Sequence, residues 1–298
     1  MIRNKYYVNI ADILIDIETD FNILIGIEGI DFFCNKDKNI CRKNDINFEI
    51  KKIEKPIQID GNLFNDDRLY IYDTNYGFVR EFYPIIDKNP YAWLIPVNEY
   101  KYNLFYLPGR EDDFKYSKNV LEAINIEKIL NKFNAFILHS SFIKYQDKAM
   151  LFTAPSGTGK STQADLWEKY ENAEIINGDR TGIRKMDGKW TAYGLPIAGS
   201  SGIYKNKRAE ISHIIVLKQG EENKLTQFSP REAFVKLYSE TIVHTWDKEF
   251  QENIINMITD VVQNVQIYQY ECLPDKSAVS FLKEQIIKDR GLVLENNE

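Results

Sequence analysis

Residues 154–161 read Ala-Pro-Ser-Gly-Thr-Gly-Lys-Ser, and this stretch restricts the possible folds of the chain more than any other. Gly157 and Gly159 give the backbone torsions closed to other residues, so consecutive amides can curl around a small anion. Such a loop needs a strand leading in and a helix leading out, because the helix start adds its partial positive end to the amides. Both patterns are present. Lys148-Ala149-Met150-Leu151-Phe152-Thr153 reads as a strand, and Thr162-Gln163-Ala164-Asp165-Leu166-Trp167 suits a helix. The segment fits the phosphate-binding loop pattern with Ala154 at the usual first glycine. A glycine turn before an ordinary helix is the alternative.

On this reading Pro155, Ser156, Gly157, Thr158, Gly159, Lys160, Ser161 and Thr162 are the nucleotide-binding residues. The amides surround phosphates, Lys160 meets the outer ones as a point charge, and the Ser161 hydroxyl is a magnesium ligand. A second magnesium anchor is expected where another strand ends. Asp179 fills that demand, since Ile175-Ile176-Asn177-Gly178-Asp179 is an apolar run breaking into polar residues, and ligands gather at the carboxyl ends of strands in open α/β sheets. Arg180 and Arg184 are nearby charges that offset phosphates or sit at the surface.

The regions on either side of this motif differ in character. Before residue 108 the chain alternates apolar and polar side chains over short runs, as in Ile23-Leu24-Ile25-Gly26-Ile27, Ile46-Asn47-Phe48-Glu49-Ile50, Leu69-Tyr70-Ile71-Tyr72 and Asn103-Leu104-Phe105-Tyr106-Leu107. Period-two patterning rich in aromatic and β-branched residues predicts strands, with turns at 35–39, 60–62 and 73–77. Pro108-Gly109-Arg110-Glu111-Asp112-Asp113 is the expected linker, dividing a β-rich domain at 1–115 from a second domain at 116–298. A helix is predicted from Ser117 to Phe133, then strands at 135–143, 148–153, 174–176, 190–193, 213–217 and 265–270, and helices near 230–243, 248–264 and 275–289. Ser229-Pro230-Arg231-Glu232 carries a capping box with proline at the first helical position.

Composition excludes several classes. A hydrophobic share of 44% is too high for a disordered chain. With 38 basic against 44 acidic side chains the formal charge is −6, so no nucleic-acid partner is expected. No apolar run approaches the ~18 residues that span a bilayer and none near the amino terminus resembles a signal sequence, so the expected place is the cytoplasm, away from membranes. Cys34, Cys41 and Cys272 match neither a zinc nor a redox spacing and read as free thiols.

Several segments together carry a family resemblance. His139-Ser140-Ser141, the following strand, Pro155 to Thr162 and then Asn177-Gly178-Asp179 resemble the carboxy-terminal domain of HPr kinase/phosphorylase and its relatives of phosphoenolpyruvate carboxykinase-like fold. Tyr193-Gly194-Leu195-Pro196-Ile197-Ala198-Gly199-Ser200 and Asn206-Lys207-Arg208-Ala209-Glu210-Ile211 are similar to segments of the HPr-kinase-like proteins found beside peptide-modification genes. The resemblance spans about residues 117–290 and implies an α/β, mixed-sheet P-loop domain behind a β-rich amino-terminal domain. It also implies ATP and magnesium as cofactors, a peptide or small-protein partner, and assembly as a homo-oligomer.

In those terms Asp179 is the catalytic base, the magnesium ligand or both, and His139 contacts the phosphates or the incoming hydroxyl. Lys160 and Arg208 hold the transferred group, and Gly199-Ser200 belongs to a loop that closes over substrate. The family's two adjacent acids are Gly178-Asp179 here, which removes one carboxylate and argues against phosphorolysis. HPr itself is not the expected acceptor. His213 and His244 are expected to be structural. Two further readings remain at this stage: a kinase of a small alcohol, and a regulator that binds ATP without transferring phosphate. A decarboxylating carboxykinase is disfavoured for want of a second basic and histidine cluster.

Overall fold

The computed structural model describes residues 3–34, 45–66, 68–85, 89–197, 199 and 201–295. The chain divides into two compact units, Met1–Ile129 and Leu130–Glu298, so the helical run after Ser117 groups with the first unit as far as Ile129.

In the first unit, strands β1 (Asn4–Ile10) and β2 (Ile13–Thr19) form a hairpin, followed by a one-turn helix α1 (Ile27–Ile30) and the short β3 (Phe33–Cys34). Then come β4 (Ile46–Lys52), β5 (Asn62–Asp66), β6 (Leu69–Thr74), β7 (Gly77–Phe82), β8 (Ala92–Asn98) and β9 (Lys101–Tyr106). Among the described residues they make one nine-stranded sheet ordered β3-β1-β2-β4-β9-β8-β7-β6-β5, antiparallel except at β2–β4 and β4–β9. Alternation buries Val8, Ile15, Ile17, Phe48, Ile50 and Leu104.

Two expectations fail here. Residues 23–27 form no strand of the sheet: Leu24 N donates to Lys115 O at 2.7 Å and Gly26 N to Ser117 Oγ at 3.0 Å, so the run is tied to residues 115–117. The single helix expected from Ser117 is two, α2 (Ser117–Ala123) and α3 (Ile126–Lys132), because Asn125 adopts a left-handed φ of 59° between them. The turn expected at 35–39 lies outside the described residues.

The second unit follows the order β10 (Ala135–Tyr145), β11 (Lys148–Thr153), α4 (Lys160–Glu171), β12 (Glu174–Asn177), β13 (Arg180–Met186), β14 (Lys189–Gly194) and β15 (Arg208–Gln219). It ends with β16 (Lys224–Gln227), α5 (Pro230–Ser239), α6 (Lys248–Asn264), β17 (Gln266–Cys272) and α7 (Lys276–Glu295). Its mixed sheet runs β11-β10-β13-β14-β15-β17-β16, with β12 beside β10. A parallel β11–β15 pairing adds a second link, making this an α/β unit. The β10–β11 hairpin turns at Gln146 and Asp147, both at positive φ (48° and 60°), the torsions a two-residue turn between twisted strands requires. Period-two alternation divides β11 between two cores: Ala149 and Leu151 face α5 and α6, whereas Met150 and Phe152 face α4 and α7.

Strand β13 was not anticipated, because Arg180, Arg184 and Lys185 mask a buried Thr181-Gly182-Ile183 centre. The capping box is present in full, with Ser229 and Glu232 each bonding the other's backbone amide. Helix α5 stops at Ser239 instead of reaching 243, since residues 240–242 turn onto the edge of β10. Among the described residues no helix is long and apolar enough to cross a membrane.

Candidate functional site

Strand β10 organises the site by changing neighbours at its middle. On one edge, Ala135 to His139 pair with β13 and Phe142 to Lys144 with β12, so these two strands form one antiparallel line interrupted at Gly178-Asp179. On the other edge Ser140 to Tyr145 pair with β11, while residues 240–242 lie along the first half through a Leu138–Thr241 bridge and an Ile242 N to Ile137 O bond. The loop after β11 therefore leaves the sheet where residue 240 takes over the edge, level with the break at 178–179. His139 stands in that row.

Buried hydroxyls hold the junction. Ser141 Oγ donates to Gly178 O at 2.9 Å, Ser140 Oγ to Thr181 Oγ1 at 2.8 Å, and Thr153 Oγ1 to His139 O at 2.9 Å. Asn177 has no exposed surface and saturates its amide: Oδ1 accepts from Asp179 N and Arg180 N, and Nδ2 donates to Leu195 O and Ile197 O. That fourfold tie fixes the turn presenting Asp179.

The loop itself has Gly157 at φ 80° and Gly159 at φ 113°, and a Cβ on either would meet nothing within 4 Å. Torsion, not crowding, requires glycine here. Helix α4 starts at Lys160, which is 7% exposed and donates through Nζ to Ala154 O at 2.7 Å and to Pro155 O at 3.3 Å. Burial holds its ammonium below the ordinary lysine range, against the opposing pull of Glu240 and Asp179. A cleft of about 330 Å³ opens beside the loop between α4 and the carboxyl ends of β15 and β17, lined by Thr162, Gln163, Gln219, Cys272 and Pro274 among others. Burial raises the Cys272 thiol to about 11, so this free cysteine is not a ready nucleophile.

Asp179 has a nitrogen near each oxygen, with His139 Nε2 3.4 Å from Oδ1 and Arg180 Nε 3.4 Å from Oδ2. The other imidazole nitrogen, Nδ1, lies 3.1 Å from Glu240 Oε2, and the His139 amide donates to Glu240 O at 2.8 Å. Glu240 was not expected from the sequence. Its one signal is an acid just past the end of α5, where the helix dipole disfavours negative charge.

Gly199 and Ser201 cover this turn. A Cβ on Gly199 would stand 2.8 Å from Asp179 Cγ, and one on Gly178 would fall 2.0 Å from Ser201 Oγ. Position 178 therefore has no room for the acid that the resemblance leads one to expect. Ser200 lies outside the described residues. Arg208 sits at the amino end of β15 with Nη1 3.5 Å from Tyr193 OH. It is three strands from Ile137 through Gly182 and Tyr193, roughly 14 Å at the usual ~4.8 Å spacing. His213 is buried in β15, and His244 stacks on Trp246 and Phe250.

Neither a protein-family model nor a curated protein matches the chain. Among solved structures it is similar to the HPr(Ser) kinase/phosphatase from Coxiella burnetii, at 12% identity, covering 54% of this chain and 93% of that one, with a TM-score of 0.32. That likeness is distant and carries no functional argument.

Proposed function

We propose that this chain is a kinase that moves the γ-phosphoryl group of ATP to a serine or threonine hydroxyl of a peptide or small protein. The observation that carries the reading is Lys160: a desolvated ammonium at the first residue of α4, beside an open glycine loop and within the fields of two acids. Two carbonyls are a thin solvation shell for a buried charge, and phosphate oxygens complete it.

The residues also fit a hard divalent cation. Ser161 is exposed and the Asp179 side chain is 27% exposed, so both offer accessible oxygens. Among the described residues no group of three or more His, Cys, Asp or Glu is arranged to hold a metal. Magnesium is suited to such a site, since it takes one or two protein oxygens and completes its shell with phosphate and water. When bound it neutralises charge on the phosphates.

In the transfer, the loop amides and Lys160 orient the triphosphate, and most of the barrier is lowered by this positioning and charge neutralisation. Asp179 takes the proton as the acceptor O–H bond breaks. The hydroxyl oxygen bonds to the γ-phosphorus, and the bond to the bridging oxygen breaks with its electron pair leaving on ADP. His139 and Arg180 flank the two Asp179 oxygens, and the packing of Gly199 on that carboxylate supports reading Gly199 as part of the substrate loop. Arg208 is left out of this step, since through Gly182 and Tyr193 it lies three strand spacings from Ile137.

The test is incubation with magnesium, ATP and a pool of serine- and threonine-containing peptides, read by mass spectrometry. An added phosphate that is lost with Lys160→Ala supports the reading. ATP binding without transfer to any hydroxyl would convert the assignment to a nucleotide-binding regulator.

A further inference from the structure

We infer that Glu240 is the positioning residue of this site: it fixes His139 through Nδ1, turns Nε2 onto Asp179, and supplies from the end of α5 the second carboxylate that position 178 does not hold. The geometry is independent of the kinase reading, whereas its consequence for turnover rests on that reading.

Three observations converge on this role. Glu240 grips His139 twice, by its main-chain oxygen on the histidine amide at 2.8 Å and by Oε2 near Nδ1 at 3.1 Å. A ring held at backbone and side chain by one residue has a fixed azimuth. With Nδ1 engaged, Nε2 is the nitrogen left for Asp179, 3.4 Å away, and for a group entering between them.

The location of Glu240 is also costly without a partner. Its side chain is 12% exposed and it is the residue after the last turn of α5, where unpaired carbonyls already concentrate negative charge. A shielded carboxylate there needs a compensating donor, and His139 is that donor, with the Lys160 ammonium drawn upward by the same acid. A surface acid capping nothing would face solvent instead.

Position 178 supplies the third observation. Any side chain there collides with Ser201 Oγ, so a second acid cannot enter along the β12–β13 line. Residues 240–242, on the opposite edge of β10, bring one from the other side of His139. Two carboxylates thus flank one imidazole instead of standing beside each other. The arrangement follows the logic of an acid that orients a histidine which in turn acts on the reacting group.

The experiment compares wild type with Glu240→Ala and Glu240→Gln, using magnesium, ATP and a peptide acceptor found by the screen above, together with nitrogen-15 spectra of the His139 ring. The expected result is a kcat lower by about 10–100-fold in the alanine variant with the ATP dissociation constant unchanged. In the ring spectrum the single pair of nitrogen signals of a fixed ring gives way to an averaged one. Glutamine keeps an acceptor for Nδ1–H and the side-chain volume, so it recovers part of kcat and decides the question if the alanine variant does not fold. Unchanged kcat with an unchanged ring signal overturns the inference, as does a loss confined to a higher ATP dissociation constant with kcat unchanged. If wild type transfers no phosphate, the kinase reading fails, and the ring spectra alone decide Glu240: a signal fixed in wild type and averaged in the alanine variant upholds it, and identical spectra overturn it.

Discussion

Each unit buries charge, and the two do so in opposite ways. In the first, Glu81 is 5% exposed and accepts from Tyr72 OH at 2.6 Å, Tyr83 OH at 2.8 Å and Trp93 Nε1 at 2.8 Å. Burial and these bonds push the Tyr83 hydroxyl up to about 12 and Tyr72 higher still, so the donors stay protonated. The cluster closes on itself. In the second unit the buried ammonium of Lys160 has two carbonyls, and Asp179 and Glu240 share a single imidazole while retaining partial exposure. A satisfied network rigidifies a sheet; one that keeps a buried ammonium and two part-exposed carboxylates beside a glycine loop is prepared to bind something.

The largest expected effect comes from deleting the open charge. Lys160→Ala should reduce phosphoryl transfer on the order of 10³-fold, measured as initial rate with ATP. Its thermal midpoint should not fall, because the variant loses a charge whose burial is unfavourable. The sign follows from the lowered value: between the folded pKa and 10.5 the unfolded chain holds the lysine proton more tightly, so protonated Lys160 detracts from stability.

The closed cluster should respond in the reverse sense. Glu81→Ala leaves one buried and two part-buried donors without an acceptor and should cost about 3 kcal/mol in denaturant unfolding, with the ATP dissociation constant unchanged. A loss of nucleotide affinity in that variant would erase the distinction between the units.

Gly178→Asp, which writes the family's acid pair into the chain, should destabilise by about 1–3 kcal/mol instead of adding activity, and Ser201→Gly should relieve it. Ser229→Ala removes an N-cap that belongs to neither network and should cost about 1 kcal/mol with kinetics intact.

The smallest effect is acid loosening of the segment 203–207. Hydrogen bonds from Lys207 and Lys205 hold the Glu174 carboxyl below its ordinary 4.5, although burial acts against them. The stabilisation is therefore present above pH 4.5 and is lost as pH falls through the lower folded value. Amide exchange in 203–207, corrected for intrinsic rate, should accelerate in that window before the sheet does.

The same contrast explains what was legible in the sequence. The glycine loop, α4 and Asp179 are local: torsion, strand and helix lie within a few residues of each other, and their pattern survives in one dimension. The capping box at Ser229 is local too. Glu240 belongs to the site only because β10 exchanges neighbours at its midpoint, a property of register that no run of residues encodes. The exclusion of a side chain at Gly178 by Ser201 is likewise a contact between separate loops. Strand β13 was missed because its apolar centre is three residues long, and the strand expected at 23–27 was lost to bonds with residues 115–117. Arg208 has a suitable charge in a suitable segment, yet the β13–β14 hairpin stands between it and β10.

The most direct test of the account is to follow the γ-phosphorus of ATP by phosphorus-31 NMR in the presence of wild type, magnesium and the peptide pool. The account predicts that the γ resonance declines as a phosphomonoester resonance grows, and that both changes vanish with Lys160→Ala. An unchanged γ signal with wild type, or an equal decline in the Lys160→Ala variant, would contradict it.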